Sequence, residues 1–180
     1  LIATATAASP PRTSARTKKA FQMKTLSIAL LLGLASPLAA QSQSLTPAQS
    51  NAALAALEDE YHAFAFYQAV IDSFGDIKPF RNIIKAEAQH IEAVSSLLRA
   101  AGIAIPANPY LDGSKAALKA PATKAEACQI GVQAEIANAA LYDDSLLPAA
   151  AGNPALIKTF TALRDASQTK HLPAFQRCAG

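Results

Sequence analysis

The sequence predicts an all-α fold, a four-helix bundle made of two antiparallel helical hairpins joined by one long crossover. Four segments carry helix-start signals, no stretch sustains the two-residue alternation of a half-buried strand, and the connections run short, long, short. Short links between consecutive helices make antiparallel hairpins. A long link can carry the chain from one end of a bundle to the other.

Thr46-Pro47-Ala48-Gln49 opens the first helix. Thr is a good N-cap, Pro suits the first helical position, and Gln three residues after the cap can return a hydrogen bond. This helix is expected to reach about Phe74, where Gly75 stops it. Lys78-Pro79 restarts the chain, and the second helix runs to about Ala101, closed by Gly102. Residues 103–122 form the crossover, punctuated by Pro106, Pro109, Gly113 and Pro121. Thr123-Lys124-Ala125-Glu126 is a second capping box; its helix is expected to end near Leu147, before Pro148. Asn153-Pro154 opens the fourth. Pro173 lies inside that helix and offers no N–H to the Thr169 carbonyl, so a kink is expected close to His171. Phe64, Phe66, Phe74, Phe80, Ile84, Leu97 and Leu98 are packing candidates.

The organisation before residue 41 is of another kind. Met23-Lys24 begins a positively charged start, residues 26–34 are apolar, and Ser36-Pro37-Leu38-Ala39-Ala40 ends in small residues. Residues 23–40 therefore read as a secretory signal peptide cleaved after Ala40, too short and wrongly flanked for a membrane span. Residues 1–22 read as a start-site extension or a disordered basic tail, and residues 41–180 as the helical domain. Export places the protein in the periplasm or outside the cell. Five of the 16 basic residues (Arg12, Arg16, Lys18, Lys19, Lys24) and none of the 13 acidic ones precede Gln41. The domain keeps 11 basic against 13 acidic residues, so the basic character belongs to the leader and argues for no nucleic-acid partner. No Cys-x-x-Cys, Gly-rich phosphate loop or Gly-x-Ser-x-Gly is present.

One pattern occurs twice. Glu60 is followed seven residues later by Tyr67, and then by Glu87-x-x-His90. Glu135 is followed seven residues later by Tyr142, and then by Gln168-x-x-His171. A carboxylate on one helix and Glu-x-x-His on its neighbour, used twice, is how a four-helix bundle builds a two-metal carboxylate site. Side chains at i and i+3 share a helix face. At about 1.5 Å per residue the six positions can occupy one level of the bundle. Any one of these residues alone is more often solvated or structural; the repeated spacing carries the reading. Tyr67 and Tyr142 are core aromatics, hydrogen-bond donors to ligand carboxylates, or redox-active phenols. His62 points away from Glu60 and reads as a surface residue, and Glu58, Glu92 and Glu126 read as solvated or capping residues. Cys128 lies seven residues before Glu135, and Cys178 seven after His171. On antiparallel helices these offsets reach the same level, so a disulfide is expected.

On these residues the chain resembles the ferritin-like superfamily across residues 46–178. Glu58-Asp59-Glu60, Glu87-Ala88-Gln89-His90 and Lys170-His171-Leu172-Pro173-Ala174-Phe175 look like a domain-of-unknown-function branch of it. The resemblance implies iron or manganese, as a di-iron or a mononuclear centre, held by Glu60, Glu87, His90, Glu135 and His171; oxygen and imidazole ligands also fit zinc. It implies no particular substrate, because the superfamily spans iron storage, peroxide reduction, oxygenation and radical generation; the first reading of this chain is an exported metalloprotein with redox chemistry on oxygen or peroxide. Gln168 departs from the four-carboxylate pattern. Three glutamates bring three negative charges against the four positive charges of two divalent ions, so one metal position is expected to be weak. Gln168 is then a weak or supporting partner, and Asp165, one turn earlier, a partial substitute. A non-catalytic metal-binding protein and a metal-free helical interaction module are the rival readings.

Overall fold

The structure, a computed structural model, describes residues 44–180. The signal-peptide and start-site readings lie outside the described residues. Those residues are all-helical, with no strand, and no helix among them is long and apolar enough to cross a membrane.

Helix α1 (Pro47–Phe74) begins at the expected capping box: Thr46 accepts from the Gln49 backbone and the Gln49 side chain accepts from the Thr46 N–H. It ends at Gly75, whose φ of 81° only glycine adopts without strain. Helix α2 spans Phe80–Ala100. Residues 101–123 carry no helix and lie against the rest of the chain. Tyr61 donates to the Pro106 carbonyl at 2.9 Å, and Asn108 donates to the Tyr61 carbonyl at 3.0 Å. Helix α3 (Lys124–Leu141) starts on Thr123, which accepts from the Glu126 N–H, the one half of the capping box that forms.

Both later helices contain a π turn just before their prolines. After α3 the chain does not stop before Pro148. It runs through a π turn, Tyr142–Leu146, into the short helix α4, Leu147–Ala149. Helix α5 (Pro154–Ala166), capped by Asn153, passes likewise through a π turn, Ser167–His171, into α6, Leu172–Ala179. Pro148 and Pro173 are each the second residue after a π turn. A proline cannot bond the carbonyl four residues back, and the wider i→i+5 turn absorbs that mismatch. The helix continues past each proline with its phase altered.

Apolar packing falls into two clusters. One gathers Ala53, Leu57, Val94, Leu98, Tyr142 and Phe160. The other gathers Phe66, Tyr67, Val70, Phe80, Cys128 and Phe175. Phe66, Phe80 and Leu98 are buried as expected, while Phe64, Phe74, Ile84 and Leu97 are half-buried. Ile103 and Ile105, early in the long connection, pack on the first cluster; Leu118 and Ala120, late in it, pack on the second. Gly131 lets α6 approach α3, since a Cβ there would lie 2.6 Å from the Phe175 ring. Beside that contact Cys128 and Cys178 form a disulfide, their Cα atoms 5.6 Å apart.

Candidate metal centre

A polar layer separates the two clusters in every long helical stretch. On α1, Glu60 lies between Leu57 and Phe66; on α2, Glu87 and His90 lie between Ile83 and Val94. On α3, Glu135 lies between Cys128 and Tyr142, and His171 lies between Leu163 and Phe175. The five residues whose spacing suggested ligands thus line one cavity of about 190 Å³. Glu60, Glu87, Glu135 and His171 are at most 4% exposed.

Their atoms form two triads that share a member. Glu60, Glu87 and His90 make one; Glu87, Glu135 and His171 make the other. Within each, the donor atoms lie within 4.8 Å of one another. His90 Nδ1 is 3.1 Å from Glu60 Oε2 and 3.0 Å from Glu87 Oε2. His171 Nδ1 is 3.1 Å from Glu87 Oε1 and 3.5 Å from Glu135 Oε1. Glu87 therefore turns one oxygen to each triad, and the two imidazoles stack 5.5 Å apart. The tyrosines approach from opposite clusters. Tyr142 donates to Glu60 Oε1 at 2.9 Å, and Tyr67 donates to Glu135 Oε1 at 2.8 Å. Burial first, then the carboxylates they face, hold both phenols well above the ordinary value of 10, so they remain donors.

The supporting residues differ from expectation. Gln168 does not face the carboxylates; its amide donates at 2.7 Å to the backbone carbonyl of Glu135. Ser167, 3% exposed, lines the cavity in its place and also donates to that carbonyl, at 3.3 Å. The π turn is the reason. Positions i and i+3 share a face in an α-helix, whereas in the wider π turn the residue four before His171 comes round to its side. Asp165 pairs with Arg164 at 2.8 Å and is exposed, so it does not stand in for a ligand. Asp59, half-buried on the cavity wall, supplies a fourth carboxylate there. Its one local signal was its place in Glu58-Asp59-Glu60; a neighbour rotated 100° from Glu60 is not expected to share its cavity. The other acids behave as read: Glu58 pairs with Lys115, and Glu92 with Arg99. His62 is exposed and packs edge-on to Tyr110.

Protons compensate the buried charge in the protein without metal. Burial alone would push both imidazoles down, but the carboxylates prevail. Glu60 and Glu87 raise His90 to about 10, and Glu135 and Glu87 raise His171 to about 9. Burial raises Glu60 to about 8 against the His90 bond, with the Glu87 charge adding to the rise. Glu87 is also pushed up by burial, but its bonds to His171 and His90 hold it at about 2. Burial, chiefly, lifts Asp59 to about 6.

A sign follows for stability. Each histidine's contribution is complete below its ordinary 6.5 and is lost as pH rises through about 9 to 10. Glu60 acts in the same sense, its contribution being lost as pH rises through about 8. Glu87 acts oppositely, losing its contribution as pH falls toward about 2. The chelator-treated protein is expected to lose about 5 °C or more in Tm between pH 7 and pH 10. Metal-loaded protein should resist that loss, because cations replace the protons. Thermal melts of both forms across this range check it.

Comparison with known proteins adds no name to this geometry: no family model matches the chain, and no curated protein and no solved structure matches it. The donor set could hold metal at each triad. It consists of carboxylates and imidazoles without thiolate, in two triads bridged by one glutamate, a combination that suits iron, manganese or zinc.

Proposed function

We propose that this chain is an exported metalloprotein of ferritin-like architecture, a four-helix bundle that holds two divalent ions in its core and carries out iron- or manganese-dependent redox chemistry on oxygen or peroxide. The observation that carries the reading is the pair of buried triads sharing Glu87. The bundle topology is supported by the long connection, whose early and late residues pack on opposite apolar clusters. Export is supported by the disulfide, which suits an oxidising compartment.

The chain's own groups have definite tasks. Glu60 and His90 would hold one ion, Glu135 and His171 the other, and Glu87 would join them. Tyr142 and Tyr67 each fix one oxygen of a terminal carboxylate, which orients the other oxygen and restrains the side chain. Asp59 is a fourth carboxylate on the cavity wall, outside both triads. A bound redox metal supplies Lewis acidity and electrons. A cavity of about 190 Å³ has room for several waters, at about 30 Å³ each, and suits inorganic ligands rather than an extended organic substrate.

The reading is tested by loading the protein anaerobically with Fe²⁺ and adding oxygen or peroxide. Near-ultraviolet absorption is expected to rise in proportion to bound iron. Bound iron that stays spectroscopically silent would favour the non-catalytic metal-binding reading, and a protein that binds no iron would contradict the proposal.

A further inference from the structure

The cavity is closed on most sides and opens on one. Its ligand residues are nearly all buried, but the lining also includes Asp59, His62 and Ala63 from α1 and Ala134, Ala137 and Asn138 from α3. His62 and Ala137 are exposed, and the other four are half-buried. The opening therefore lies between α1 and α3. Three of its six residues are alanines, whose side chains end at Cβ and leave the gap unfilled.

The rim carries a specific polar pair. Asn138 Nδ2 donates to Asp59 Oδ2 at 2.7 Å. That bond fixes the amide orientation, because the reverse would set oxygen against carboxylate. It also leaves the Asn138 amide oxygen buried with no hydrogen-bond partner among the described residues. A carboxylate is a donor that a hard cation accepts, and no Lys or Arg lines the cavity to repel one.

We propose that the window between α1 and α3 is the route by which divalent cations reach the centre, with the Asp59 carboxylate as the capturing group at its rim. This rests on the metal-binding reading above. The negative rim concentrates cations at the opening and raises their association rate. Asn138 then holds Asp59 at the wall, one residue along from the ligand Glu60.

Stopped-flow uptake of Co²⁺ by the full chain, followed by its visible absorption, tests this. Asp59→Asn is expected to slow association roughly tenfold and to flatten its salt dependence. Ala137→Leu, at an exposed helical position, is expected to slow association and release together, leaving affinity unchanged, since it narrows the path without touching the centre. Both variants should reach the wild-type stoichiometry. Unchanged rates in both variants would overturn the window while leaving the metal centre intact. Lost stoichiometry at a normal rate in Asp59→Asn would make Asp59 a ligand and overturn its role at the rim. Wild-type protein that takes up no Co²⁺ would overturn both this inference and the function on which it rests.

Discussion

Glu87→Gln is expected to abolish tight metal binding at both positions, whereas Glu60→Gln and Glu135→Gln each abolish one. The asymmetry follows from the geometry. Glu87 offers Oε2 to the His90 side and Oε1 to the His171 side, while Glu60 and Glu135 each serve one triad. Loss of a supporting residue costs roughly 10–100-fold in metal affinity, so loss of a shared ligand should exceed about 100-fold at each position. Gln matches Glu in shape, which keeps the cavity filled. It replaces a charged acceptor with a partly donating amide, so the two imidazoles lose the carboxylate they face. Metal analysis after desalting distinguishes the outcomes. Retention of one tightly bound ion by Glu87→Gln would show that the two triads are not joined.

The second large effect concerns the disulfide. Cys128→Ala with Cys178→Ala is expected to cost about 4 kcal/mol, the chain-entropy value for a closure spanning 50 residues. For a domain of this size that is a fall in Tm on the order of 10 °C. The bridge ties α6, just beyond His171 and Pro173, to the start of α3 beside Phe175 and Gly131. Reductant should reproduce the fall in the parent protein and do nothing further to the double variant. A double variant that melts with the parent would show that packing of Phe175 alone secures this end.

Much of the molecule is legible because its signals are local. Thr46, Thr123 and Asn153 cap helices where their side chains can reach orphan N–H groups, and all three do so. The convergence of Glu60, Glu87, His90, Glu135 and His171 follows from helical spacing and level, and they line one cavity. What was not legible is what π turns and side-chain reach decide. The expectation for Gln168 assumed α-helical phase through 168–171, and the turn over Ser167–His171 removes that assumption. Pro148 and Pro173 were read as a stop and a kink because the sequence marks only the missing donor, not the wider turn that accommodates it. The place of Asp59 on the wall is set by its bond to Asn138, 79 residues away in sequence, and no local signal marks that bond.

The central claim is a pair of ions joined through Glu87, and anomalous diffraction from metal-loaded crystals tests it most directly. The expected result is two anomalous peaks inside the cavity, one beside Glu60 and His90, the other beside Glu135 and His171, with the Glu87 carboxylate between them. A cavity without anomalous density, in crystals of protein shown to be folded and exposed to saturating metal, would contradict the account.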